Sequence, residues 1–225
     1  MKRILGAILI LVGLYIGTLS FSEWYTGRTA MEKINAETLN IIEDSKQEEE
    51  PTISKEETKN TLDLENKPSS VVPAKQVASN VIKHKEGTQV ASLVIPSLNQ
   101  QYDVYWGSDD NTLKKGVGMF VSDLTTDPEN AGHTVLSGHR DTVFYQLDEL
   151  KAEDFLYVTY NGKIYSYQIK NVFITDKDDR TVIVKKDSPT LTLTTCYPFG
   201  YVGSAPDRYI IQANLTDIYT EESTN

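Results

Sequence analysis

The sequence predicts an all-β domain, a barrel or a sandwich, on three observations. Roughly seven or eight short stretches with apolar residues at period two fall within about 130 residues of the C-terminal half. Asn161-Gly162 joins two of those stretches, and that dipeptide favours the type I′ turn of a β-hairpin. No strand–helix–strand alternation and no internal repeat is present, which argues against a doubly wound sheet or a solenoid.

Each element has its own reason. Residues 90–95 read as a strand stopped by Pro96, and 102–106 as a second. Residues 111–115 suggest a single helical turn before Gly116 and Gly118. Residues 134–137 form a short strand ending at Gly138-His139, and 143–150 a helical turn that buries Phe144, Leu147 and Leu150. Residues 155–160 and 163–174 are the hairpin arms, and 182–184 read as a further strand. In 191–195, Leu191 and Leu193 alternate with Thr192 and Thr194 until Pro198 and Gly200 break the pattern, and 209–215 complete the set.

The chain before residue 87 differs. Ile4 to Phe21 is a run of 18 residues without a charge. As a helix it spans about 27 Å, near the thickness of a hydrocarbon core. Lys2 and Arg3 precede it and Trp24 and Tyr25 follow, so residues 1–25 predict a single-pass anchor with a cytoplasmic N-terminus and everything after it outside. The membrane lipid is then its first partner. A cleaved signal peptide is the alternative, with Thr18-x-Ser20 a weak cleavage motif. Residues 26–86 read as an acidic, largely disordered linker. Positions 43–65 hold nine acids against three lysines, and no aromatic residue stands between Tyr25 and Tyr102. Met31 to Ile42 has the spacing of a short amphipathic helix, and Val77 to His84 of another on the domain's edge, with His84 a surface residue. The domain proper is 87–217, and 218–225 a polar tail.

The net charge of −10 disfavours a nucleic-acid partner. Cys196 is the single cysteine, so no internal disulfide or multi-cysteine metal site exists. Taken alone, such a thiol reads as buried and structural. Its place at the end of an apolar strand puts it at a lip instead. A thiol attacks as the thiolate and needs a base or cation beside it. His139 follows Val135-Leu136 and also ends a strand, whereas His133 precedes that run and reads as a turn residue. Arg208 opens Tyr209-Ile210-Ile211, twelve residues after the cysteine, and Arg140 is a second candidate cation. Either arginine could instead form a surface ion pair with Asp141 or Asp207.

Leu-Thr-Thr-Cys196, Ser-Gly-His139-Arg-Asp and Arg208 at the start of the last strand, in that spacing, resemble the signature segments of the sortase family. Ile95-Pro96 and Lys114-Lys115-Gly-Val-Gly118 extend the resemblance over about 90–215. Cys196-Tyr-Pro-Phe and the single anchor look most like class D, with class A the nearest rival. The resemblance implies a closed eight-stranded barrel with few short helices. It also implies a cysteine transpeptidase that cleaves a Leu-Pro-x-Thr-type sorting signal after Thr and passes the surface protein to a cell-wall peptide amine. Cys196 would carry the thioacyl group, His139 would move the protons, and Arg208 would hold substrate and oxyanion. No cofactor is implied. Asp176, Asp178 and Asp179 resemble the acid clusters of calcium-binding members, yet three acids in a loop read as solvated, and no metal is assigned. Thr195 should face away from Cys196 and offer the groove its backbone. Tyr197, Phe199 and Tyr201 either line the groove's apolar part or cap the barrel. An anchored protease that only hydrolyses, and a non-catalytic ligand-binding β-domain, are the alternatives.

Overall fold

The computed structural model describes residues 2–29, 31–34, 84–200 and 203–220. Among the described residues nine strands are present: β1 (Met31–Glu32), β2 (Gln89–Ile95), β3 (Gln100–Trp106), β4 (Val117–Met119), β5 (His133–Ser137), β6 (Phe155–Tyr160), β7 (Lys163–Asp176), β8 (Thr190–Tyr197) and β9 (Asp207–Thr220). Their order is β1-β3-β2-β6-β7-β9-β8-β5-β4, and β4 pairs again with β3. Eight strands, β2 to β9, therefore close into the expected barrel. Closure leaves no long edge open to other chains.

Alternation along each strand builds the core. Leu93, Ile95, Tyr102, Val104, Leu136, Leu156, Val158, Tyr165, Tyr167, Leu191, Leu193, Tyr209 and Ile211 point inward and pack as one cluster. Each fully buried large side chain contributes roughly 1.5–3 kcal/mol from removal of apolar surface. Phe144, Leu147 and Leu150 plug the barrel as expected, at 0, 0 and 4% exposed. The β6–β7 hairpin turns at Asn161-Gly162, both at positive φ.

Two pairings are parallel, β3 with β4 and β5 with β8. Parallel neighbours end on the same rim, so β5 and β8 finish side by side although the β6–β7 hairpin lies between them in sequence. β9 runs antiparallel to β8 and starts where β8 ends.

Several expectations need correction. No strand is expected at β4, where the sequence shows only Gly116 and Gly118 after a helical turn. Gly118 is instead what lets β4 close the ring: a Cβ there would stand 2.5 Å from the Gly107 carbonyl oxygen. Residues 182–184 form no strand and lie in the connection between β7 and β8. The last strand continues to Thr220, so residues 218–220, expected in the tail, belong to the barrel wall. Residues 31–32 are a strand and not the start of a helix; β1 pairs Met31 with Tyr102 and Glu32 with Gln101. Ile34, 8% exposed, packs on the barrel's outer face against Val94, Tyr157 and Ile164. The linker's first residues are thus docked and not free. The remaining linker expectations, residues 35–83, lie outside the described residues. His84 is half-buried, with its ring 5.0 Å from that of Trp106.

The N-terminal run forms helix α1 (Lys2–Thr29). Ile8, Leu9, Ile10, Leu11, Leu14 and Ile16 on it are all at least half exposed. Among the described residues, no helix is long and apolar enough to cross a membrane.

Candidate active site

Cys196 is the seventh residue of β8. Because Leu191 and Leu193 face the core, Thr192, Thr194 and Cys196 face outward. The thiol is partly exposed. Directly across the ladder stands Arg208, in register with Cys196. Residues opposite one another in an antiparallel pair have Cβ atoms about 4.5–5.5 Å apart. On the other flank, β5 pairs Ser137 with Thr194, and the Gly138 amide donates to the Thr194 carbonyl at 3.2 Å. His139 is the next residue. Its carbonyl accepts from the Phe144 amide at 3.0 Å, which starts a tight turn. Gly138 is required for this turn, since a Cβ would lie 2.6 Å from the Phe144 ring. Three adjacent strands thus bring His139, Cys196 and Arg208 to one rim, all half-buried.

Neighbouring groups hold the rim in place. Thr195 is 3% exposed and faces away from the thiol side; its hydroxyl donates to the Gly138 carbonyl at 2.7 Å. That bond ties the cysteine strand to the residue before His139. Arg208 Nη1 donates to the Asp207 carbonyl at 2.9 Å, a contact with its own backbone and not with the Asp207 carboxylate. Arg140 Nη2 donates to the Gly203 carbonyl at 2.9 Å, so the residue after His139 reaches the β8–β9 loop. Tyr197, Phe199 and Tyr209 form an aromatic trio, with ring centroids 5.2–6.1 Å apart. Tyr197 and Phe199 pack against the barrel core, the capping placement, on the face opposite Cys196. Tyr201 lies outside the described residues.

Asp176, Asp178 and Asp179 are engaged in their own loop. The Asp178 amide donates to Asp176 at 2.8 Å, Asp178 pairs with Lys177 at 2.9 Å, and Asp179 accepts from the Thr181 hydroxyl at 2.7 Å. The bond from Lys177 holds the Asp178 carboxyl below its ordinary range. Among the described residues, no group of three or more metal-ligating side chains is assembled.

His133 is where the turn-residue reading fails. It begins β5, is 1% exposed, and bonds through both ring nitrogens. Burial, with Lys186 nearby, pushes its pKa down against the opposing effect of the Val184 bond. The signal for it in sequence is slight: its period-two relation to Val135 and Ser137. A cleft of about 880 Å³ opens beyond it, lined in part by Trp106, Leu124, Lys185 and Lys186, and away from the thiol rim.

Comparison with known proteins agrees with this fold. The sortase-domain model matches residues 93–216. Sortase D of Bacillus subtilis (strain 168) is 33% identical over 212 residues, covering 94% of this chain and 97% of that protein. The catalytic domain of B. anthracis SrtD is 60% identical, covers 65% of this chain and 99% of that domain, and superposes with a TM-score of 0.55. A Clostridium perfringens sortase C, solved with the C-terminal cell wall sorting motif, is 29% identical over 61% of this chain and 74% of that one, with a TM-score of 0.53. The matched span contains the whole rim from His139 to Arg208, and the chain belongs to the sortase family of cysteine transpeptidases, in class D.

Proposed function

We propose that this chain is an anchored transpeptidase that cleaves a Leu-Pro-x-Thr-type sorting signal after Thr and joins the new carboxyl end to a cell-wall peptide amine. The observation that carries the reading is the pairing of Cys196 with Arg208 beside the turn that presents His139. The Cys196 thiolate attacks the Thr carbonyl carbon, and the π electrons move onto oxygen. Arg208 donates to that oxyanion and to the substrate backbone. As the C–N bond breaks, protonated His139 gives its proton to the leaving amine, and a thioester remains on Cys196. The incoming amine attacks the thioester, loses its proton to His139, and releases the thiolate. Thr195 contributes to the groove through its backbone. The cap of Tyr197 and Phe199 sets the floor beneath the rim, with Tyr201 a further groove residue. The catalytic domain is the barrel from about residue 87, and α1 anchors it in the cell membrane, with its N-terminus cytoplasmic and the barrel outside. The bare apolar surface of α1 and the flanking Lys2, Arg3 and Tyr25 support that placement.

The test is incubation of the full chain with Leu-Pro-x-Thr peptides plus candidate amines, read by mass spectrometry. Expected are cleavage after Thr, an amine-ligated product, and a Cys196 adduct when the amine is withheld. Cys196→Ala should show none of these at an unchanged melting temperature. Cleavage that survives in Cys196→Ala would end the thioester mechanism, and a hydrolysed product at every amine concentration would reduce the enzyme to a protease.

A further inference from the structure

Two of the three rim residues are held by a ladder, and the third is not. Cys196 and Arg208 face each other within paired strands. His139 lies two residues beyond the end of β5, in a turn. Gly138 before it and Thr142 after it are buried, whereas His139 and Arg140 are half-buried and Asp141 is exposed. Gly138 roots the turn on β8, through its amide to the Thr194 carbonyl and its carbonyl to the Thr195 hydroxyl. The His139 carbonyl accepts from the Thr142 amide at 3.4 Å and the Phe144 amide at 3.0 Å, which closes the turn on itself. A restraint from outside the turn comes from Arg140. Its Nη2 donates to the Gly203 carbonyl at 2.9 Å, a bond between residues 63 positions apart. Gly203 stands four residues before Asp207, where β9 begins, and its φ of +107° is one that residues with a Cβ rarely adopt. β5 and β9 are the two neighbours of β8. The bond thus joins the turn after β5 to the loop that leads into β9, around the end of the cysteine strand.

A general acid works only within hydrogen-bond reach of the group it protonates, about 2.6–3.2 Å. Misplacing a catalytic group by about 1 Å can cost on the order of a hundredfold in rate. The crest formed by residues 139–141 carries the imidazole between two buried ends, so a third point of attachment is what holds it to that tolerance. We infer that Arg140 is a positioning residue. Through the Gly203 carbonyl it clamps the His139 turn to the β8–β9 loop, and so keeps the imidazole in register with Cys196 and Arg208 for both proton transfers. The inference rests on the function proposed above. It assigns Arg140 no contact with the substrate or the reacting atoms.

The test compares the full chain with Arg140→Ala, Gly203→Ala and the double variant, on a Leu-Pro-x-Thr peptide with an amine acceptor. Arg140→Ala should lower kcat by roughly ten- to a hundredfold with KM nearly unchanged, because proton transfer and not peptide binding is impaired. Gly203→Ala places a Cβ on a left-handed backbone, which displaces the carbonyl and leaves the arginine's charge in place, and should do the same. The double variant should lose no more than either single one, since both break one bond. Arg140→Lys keeps a charged donor and should recover part of the kcat. Hydrogen exchange of the Thr142 and Phe144 amides, measured without peptide, should quicken in Arg140→Ala. A loss confined to KM, losses that add in the double variant, or unchanged exchange at those two amides would each overturn the inference. Should Arg140→Ala fail to fold, Gly203→Ala decides by the split between kcat and KM and by the same exchange. Exchange is read without substrate, so a wild-type chain that cleaves none of the peptides counts against the proposed function and not against the clamp.

Discussion

At Arg208 shape and charge can be separated. Arg208→Lys keeps the charge but loses the planar fork of donors. If the side chain only balanced a surface acid, the change would be nearly silent, at about 0–1 kcal/mol. A donor aimed at an oxyanion is worth far more, so kcat/KM should fall about 10²–10³-fold, with the loss in single-turnover formation of the Cys196 adduct. Adduct formation at the wild-type rate would remove the donor role. Thr195 offers a second residue-scale test. Thr195→Val leaves the Gly138 carbonyl without its buried partner, which costs about 1–3 kcal/mol, and should lower both melting temperature and activity. Thr195→Ser should restore both; an inert Thr195→Val would show that the bond does not hold the histidine turn. The shared rim of Cys196, His139 and Arg208 was legible in sequence because each stands at one end of an apolar run. The Thr195 hydroxyl was not, because its partner lies 57 positions away.

Among the elements, the β7–β8 connection is where pH should act. An ordinary histidine titrates near 6.5, and burial lowers His133 from there in the folded chain. As pH falls, the unfolded chain takes up its proton first, so folding loses stability below about 6.5. Urea midpoints measured between about pH 7 and pH 5 should drop more steeply for the wild type than for His133→Asn. Parallel curves would mean that another group titrates. The same element shows what sequence pattern misses. The run Val182-Ile183-Val184 has strand composition, yet Val184 gives its carbonyl to a side chain and not to a ladder. β4 failed in the opposite sense. It is three residues long and held by backbone proximity at Gly118, so no periodicity could announce it.

For the whole molecule, composition separated barrel from linker but gave no sign that residues 31–34 dock on the barrel. Met31 and Ile34 fit a helical stripe as well as a strand, and only the outer patch of Val94, Tyr157 and Ile164 decides between them. Those three are at most 3% exposed although they point away from the core. Ile34→Asp should release the docked segment, at a cost of about 1.5–3 kcal/mol, the worth of one buried isoleucine. Faster hydrogen exchange at Gln101 and Tyr102, the partners of β1, would report the release; unchanged exchange there would show that Ile34 does not hold it.

The docked segment also bears on how the enzyme meets its clients. One residue separates the end of α1 from the start of β1. On the proposal that α1 lies in the bilayer, the pairing of β1 with β3 would tether the barrel close to the lipid, whatever the length of the rest of the linker. A leash of dozens of residues would let the barrel sample a broad shell of space and dilute it against any one target. The short tether through β1 would instead limit how far above the lipid the thiol works. On the same proposal, clients held at that height in the membrane would be met by lateral diffusion at high effective concentration.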